Sequence, residues 1–168
     1  MSAKIMRIQE ATASPRASSA PPVRTSFTDR ETNAYLRYYG STFLPSGIAN
    51  PQVAIGDGGN VTARAIVDLD AVRVSQARSF LDPLAFVTGS LEVIASGVVA
   101  GADGWGTARF TSATVAGVSV PKSVAAELLR FYTRTPERPN GFEFDKPFEL
   151  PAGIRSVVAE RGRATIVQ

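Results

Sequence analysis

The chain lacks both histidine and cysteine. Their absence excludes an imidazole general base, a thiolate nucleophile, a zinc site of the common Cys/His type and a disulfide framework. Any reaction would rest on Asp, Glu, Lys, Arg, Tyr or Ser alone. With no thiol, the sequence carries no redox mark of its compartment. Long apolar runs are missing too: no segment reaches the roughly 18 uninterrupted apolar residues that a membrane span needs. Lys4 and Arg7 are not followed by the apolar stretch of about 7–15 residues that defines a secretory leader. The expectation is a cytoplasmic protein or the processed or trimmed form of an exported one.

Charge of one sign is also scarce where it would matter. The net charge is +3, and all of the excess lies in residues 1–26, leaving residues 27–168 neutral. A neutral body with interspersed charges and no basic stripe is a poor match to a phosphate backbone, so nucleic-acid binding is disfavoured. Residues 1–26 are rich in Ala, Ser and Pro. Read as lacking a hydrophobic period, they are expected to form a disordered or extended arm, because such a segment buries too little apolar surface to offset its ordering entropy. The remaining 27–168 should form one α+β domain.

What is present is a pattern stated twice. Tyr35-Leu36-Arg37-Tyr38-Tyr39 precedes Leu44-Pro45-Ser46-Gly47-Ile48 and an alternating run broken at Asp57-Gly58-Gly59-Asn60. Leu128-Leu129-Arg130-Phe131-Tyr132 precedes Leu150-Pro151-Ala152-Gly153-Ile154 and an alternating run broken at Glu160-Arg161-Gly162-Arg163. The pattern predicts an internal pseudo-repeat of helix, turn and β-hairpin. Thr28-Asp29-Arg30-Glu31 is a capping box that opens a helix running to about Tyr39, with Gly40 as a left-handed stop. Val53 and Ile55 lead into the first turn, and Val61, Ala63, Ala65, Val67 and Leu69 share one face of the returning strand. Residues 75–80 are compatible with a helical turn or a crossing loop that ends at Asp82-Pro83. From Leu84 a long hairpin is expected, with Ala102-Asp103-Gly104 as its turn and residues 105–120 as the returning strand. Glycines at 97, 101, 106 and 117 point to a strongly curved antiparallel sheet. Pro121 should take the first position of a second amphipathic helix with the stripe Val124, Ala125, Leu128, Phe131 and Tyr132, ended by Pro136.

From residue 27 onward, this order of helix, curved strands, Gly117-Val118-Ser119-Val120-Pro121, second helix, Phe142-Glu143-Phe144 and Phe148-Glu149-Leu150-Pro151-Ala152-Gly153-Ile154 resembles the LmeA-type phospholipid-binding proteins of bacterial envelopes. Those in turn are similar to the wider superfamily of tubular lipid-binding domains. The resemblance implies a bent sheet wrapped on helices, a long apolar ligand held between them, and a periplasmic or envelope-associated location; the residues alone leave a cytoplasmic one open.

Small residues such as Ala63, Ala65, Ala95 and Ala113 on the apolar faces would leave room for such a ligand, or would simply allow close helix packing. The candidate ligand-binding set is Tyr35, Leu36, Tyr39, Leu91, Val93, Ala95, Phe110, Val124, Leu128, Phe131 and Tyr132. Val124, Leu128 and Phe131 should face Leu91, Val93 and Phe110 across an elongated cavity. Tyr38, Tyr39 or Arg130 at the rim would meet a headgroup. The polar candidates are weaker. Ser119 and Lys122 fit a Ser-x-x-Lys spacing but lack the partner motifs of serine acyl enzymes and read as a strand end and helix cap. Asp68 and Asp70 read as a solvated face rather than a cation site, and Glu92 and Arg109 as a cross-hairpin ion pair. The expected function is non-catalytic binding or transport of a lipid or other long apolar ligand, without cofactor or metal and with a membrane-associated protein as a further partner. The alternative is a scaffold subunit of an envelope assembly, with a filled core and a docking arm.

Overall fold

The computed structural model describes residues 2–13, 21–71, 88–132, 139–141 and 143–168. The expectations over residues 75–80, Asp82-Pro83, Leu84, Pro136 and Phe142 lie outside them, as do the side chains of Phe131 and Tyr132. Helix α1 (Ser2–Ala13) leads to β1 (Arg24–Thr28), α2 (Asp29–Tyr39), β2 (Ile48–Ile55) and β3 (Asn60–Asp68). Then come β4 (Ser90–Ala102), β5 (Trp105–Val115), β6 (Val118–Val120), α3 (Lys122–Tyr132), β7 (Phe148–Glu149), β8 (Ser156–Glu160) and β9 (Arg163–Val167). The fold is α+β: among the described residues the nine strands join in one antiparallel sheet, ordered β1-β9-β8-β4-β3-β2, with β5 on the other side of β4 and β6 and β7 on β5.

The capping box is present: Thr28 Oγ1 accepts from Glu31 N at 3.2 Å and Glu31 Oε2 accepts from Thr28 N at 3.0 Å. Gly40 differs from its expected role. It sits at φ −55° in the right-handed region and leads into a 3₁₀ turn, Gly40–Thr42. A Cβ there would lie 3.2 Å from Leu44 Cδ1, so glycine serves close packing at this site and not a left-handed stop.

The arm expected over residues 1–26 is corrected where the structure describes it, at residues 2–13 and 21–26. Ser2–Ala13 is helical, Ile8 is buried, and Lys4 Nζ donates to Ser26 O at 2.8 Å and pairs with Glu31 at 2.6 Å. Gln168 Nε2 donates to Ile8 O at 3.0 Å, and β1 pairs along its whole length with β9. Ile5 and Ile8, three residues apart, supply the short apolar period that a view of the segment as Ala/Ser/Pro-rich overlooks.

The strand expected over 105–120 is two strands. Ala116 and Gly117 both take left-handed φ, 50° and 78°, and fold β6 back on β5. Pro121 precedes the first turn of α3 and accepts from Ala125 N at 3.0 Å, so it caps the helix from outside.

The two Leu-Pro-small-Gly-Ile segments each close an i,i+3 turn, Ile48 N to Pro45 O at 3.4 Å and Ile154 N to Pro151 O at 3.2 Å. Their backbones differ. Only Gly47 is left-handed in the first, at φ 91°, whereas Ala152 and Gly153 both are in the second, at 60° and 64°. The first has the φ pattern of a type II turn and the second that of a type I′ turn.

Candidate functional site

Pairing register sorts the side chains of the sheet onto two faces, because directly opposed residues in an antiparallel ladder project to the same side. Ala63 stands opposite Ala95 and Ala95 opposite Ala113; Ala65 stands opposite Val93 and Val93 opposite Val115. Gly101 continues the row to Val157, Val157 to Ile166 and Ile166 to Thr25. At the paired positions of every strand, this face is hydrocarbon or glycine except at Thr25. The opposite face is mixed: Thr62 bonds Ser96 at 3.0 Å, Ser26 bonds Thr165 at 2.8 Å, and Arg64 Nε donates to Glu92 at 2.8 Å.

Burial on the apolar face is uneven, and Val118 on the outer strand β6 is 69% exposed. Phe27 on β1, Ile55 at the end of β2, and Phe110 and Ala113 on β5 are buried. On the central strands β3 and β4, Ala65, Val67, Leu91 and Val93 are only half-buried and Ala63 is exposed. Central strands of a large sheet are usually the best covered, and here they are only partly so. The hydroxyl of Thr25, the one polar side chain on this face, is buried without a hydrogen-bond partner. Such a group costs about 1–3 kcal/mol when nothing polar meets it.

At the β5 margin the sequence expectation changes. The space between α3 and the sheet is filled by Phe110, which is 3% exposed, with Ala113, Ala125, Leu129 and Phe144; Ala95 and Val120 pack against the same cluster. Phe110 and Phe144 meet edge to face at 6.0 Å. Val124 is 48% exposed and does not face Phe110. A helix with apolar residues at 124, 125, 128 and 129 offers two adjacent stripes, and Ala125 with Leu129 is the one turned inward because its small first residue lets the helix approach Phe110. Leu128 is half-buried beside that contact line. The elongated cavity expected between second helix and sheet is therefore replaced by packed side chains at this point.

At the other margin α2 lies along the edge of β2. Asn33 Oδ1 accepts from Val53 N at 2.7 Å and Asn33 Nδ2 donates to Val53 O at 2.9 Å, while Asp29 Oδ1 accepts from Ile55 N at 3.0 Å. Four helical residues rise about 6 Å and two strand residues about 6.8 Å, so an i,i+4 pair on the helix matches alternate residues on the strand. Two polar side chains thus satisfy an edge that would otherwise stand unpaired. Tyr35 and Leu36 are half-buried, and Tyr35 contacts Tyr39 at 5.1 Å and Phe43 at 5.9 Å between ring centroids. Phe43, 53% exposed, was not singled out in the sequence; its position three residues after Gly40 in a Thr-Phe-Leu-Pro run was the available signal. Tyr38 is 76% exposed.

The remaining polar candidates have structural partners. Asp68 Oδ1 accepts from the Asp70 and Ala71 amides at 3.0 and 3.1 Å, and Asp70 Oδ2 from Gly89 N at 3.0 Å. Among the described residues no group of three carboxylates could hold a metal ion. Glu92 pairs with Arg64 on β3 and not with Arg109, which lies 3.8 Å from Asp145. The reason is register: Glu92 stands opposite Ile66, beside Arg64, and Arg109 stands opposite Val98, six residues along β4. Ser119 is exposed on the polar face and Lys122 reaches Asp145 at 4.0 Å. Arg130, expected at a rim, is tied to Glu127 at 3.0 Å and to Glu143 at 3.4 Å. Glu143 is held below the usual carboxylate range by the hydrogen bond from Lys146, with Lys146 and Arg130 adding their charge. Glu31 is pulled from the ordinary 4.5 to about 2, chiefly by the hydrogen bond from Lys4 and then by the Thr28 amide.

No helix among the described residues is long and apolar enough to cross a membrane. Comparison of the chain with protein-family models, with curated proteins and with solved structures found no match.

Proposed function

We propose that the protein binds a lipid or another long apolar ligand along the centre of its apolar sheet face, without catalysing a reaction on it. The observation that carries this is the partial exposure of the centre: Ala63, Ala65, Val67, Leu91 and Val93 form an uninterrupted hydrocarbon strip on the central strands and remain partly accessible, while Phe27, Ile55, Phe110 and Ala113 elsewhere on the face are buried. An acyl or polyprenyl chain laid on that strip would gain about 0.8 kcal/mol per methylene removed from water. Bulges at Ala49/Gln52 on β2 and Ser96/Gly97 between β4 and β5 bend strands locally, which favours a strongly curved sheet that wraps its occupant. The recurrence of the Leu-Pro-small-Gly-Ile turn before each hairpin supports an internal pseudo-repeat. Membership of the LmeA-type or tubular lipid-binding group, and an envelope or periplasmic location, belong to this same reading.

The test is uptake of a fluorescent fatty acyl probe by the wild-type protein and by Ala65→Phe. Ala65 is the better position than Ala95, because Ala95 already packs against the Phe110 cluster. A bulky ring on the open strip should abolish uptake while the melting temperature stays within a few degrees. No uptake by the wild-type protein removes the proposal.

A second reading is favoured by two observations. Residues 2–13 fold as a helix bonded to the body, and Val118, Val158 and Trp105 are exposed apolar side chains. A scaffold subunit of an envelope assembly would bury the same apolar strip against a protein partner, and Trp105 and Val158 on the opposite face against another.

A further inference from the structure

We infer that the cleft between α2 and the polar face of the β2–β3 hairpin is a binding site for a phosphate-bearing anion. Its charged groups Arg64 and Glu92 project to the face opposite the apolar strip, and the cleft meets that strip at Ala65. The cleft holds about 350 Å³; its polar lining is Arg37, Arg64, Glu92, Asn50, Gln52 and Asn33, and Pro51, Ala65 and Ile66 complete it.

Its charge follows from the edge capping. Asp29 and Asn33 satisfy Ile55 and Val53; the next residue at helical spacing, Arg37, comes level with the bulge at Asn50-Pro51, where proline has no N–H to be capped. Arg37 therefore has no role in holding the edge. It has no side-chain partner among the described residues, and the same is true of Asn50 and Gln52. Across the cleft the Glu92 carboxylate is neutralised by Arg64, which uses two of its five N–H donors on it and keeps three. The cleft thus has one uncompensated positive charge, two guanidinium groups on different walls and two free carboxamides.

Guanidinium donors on a helix and on a sheet face an anion from different directions. A tetrahedral phosphate can accept from both at once, whereas a planar carboxylate is satisfied by a single fork. Asn50 at φ 50° adopts a conformation that asparagine tolerates, and the bulge it forms sets its carboxamide beside the cleft. Phosphate esters reach a protein as small water-borne molecules or as lipid headgroups, and the chemistry of the cleft suits both.

The experiment is calorimetric titration of the full chain with inorganic phosphate, acetate and dihexanoyl phosphatidylglycerol, with co-sedimentation on vesicles of phosphatidylcholine alone or mixed with phosphatidylglycerol. The expected result is binding of phosphate or of the phosphatidylglycerol probe in preference to acetate, weakened about tenfold or more by Arg37→Gln. Glu92→Gln, which frees Arg64 and removes a negative charge, should tighten it. Arg24→Gln on β1, outside the cleft, should leave it unchanged. Binding of water-borne phosphate without vesicle binding assigns the site to a small molecule; Arg37-dependent binding to the mixed vesicles assigns it to a headgroup. The inference is overturned if neither phosphate probe binds, or if Arg24→Gln weakens binding as much as Arg37→Gln.

Discussion

The two helix–turn–hairpin segments use nearly the same words and hold together by different physics. In the first, α2 has no buried residue and is fixed to the edge of β2 by the carboxamide and carboxylate of Asn33 and Asp29. In the second, α3 is fixed by hydrocarbon, with Ala125 and Leu129 closed over Phe110. Short sequence motifs specify the turn and the hairpin; what a helix docks on is decided by partners distant in the chain. The consequence is a packed contact of α3 over β5, a polar contact of α2 along β2 and a partly exposed strip on the strands between them.

Paired substitutions break this contrast most sharply. Phe110→Ala should destabilise by about 3–5 kcal/mol, because a large ring is removed from a filled cluster. Asn33→Ala should cost less, about 1–3 kcal/mol, by leaving the Val53 amide and carbonyl without their partner. Chemical denaturation of both variants measures the difference. Little or no loss from Asn33→Ala would mean that α2 is held mainly by apolar packing.

The turns sharpen the comparison at a smaller scale. Alanine strains a left-handed position by about 1–2 kcal/mol, and the strain grows away from the left-handed well near φ 57°. Gly47 at φ 91° lies farther from it than Gly153 at 64°, so Gly47→Ala should lower the melting temperature more than Gly153→Ala. Identical shifts would show that the two turns relax to the same conformation.

These differences also mark what can be read in the sequence. The capping box at Thr28 and Glu31, and the turns at residues 57–59, 103–104 and 161–162, depend on local chemistry and fall where it puts them. The helix at Ser2–Ala13 was hidden because its support is remote: Gln168 binds Ile8 across 160 positions. The break between β5 and β6 was hidden because Ala116 takes φ 50°, a conformation that alanine does not advertise. In the candidate set, Leu91 and Val93 do lie on the open strip, but alternation within one strand cannot tell that β8, β9 and β1 extend the same apolar face through the one ladder pair of Gly101 with Val157. The inward stripe of α3 depended on Phe144, which comes to Phe110 from thirty-four residues further along the chain.

The smallest expected effect concerns the contact between α1 and α2. Glu31 has its pKa lowered to about 2, so the unfolded state binds the proton more readily between that value and 4.5. The resulting stability is present above about pH 4.5 and is lost as pH falls toward 2. The carboxylate is partly solvated, so the effect is small. A pH series of melting temperatures should show a shallower acid decline for Glu31→Gln than for the wild-type protein; parallel curves would mean that Lys4 does not hold Glu31 in solution.

The central claim is that the open hydrocarbon strip is covered by a small apolar ligand rather than by protein. Native mass spectrometry of the purified chain tests it most directly. The account predicts a protomer carrying one additional lipid-sized mass that leaves on collisional activation. A bare protomer, or a homo-oligomer with no additional mass, would contradict it.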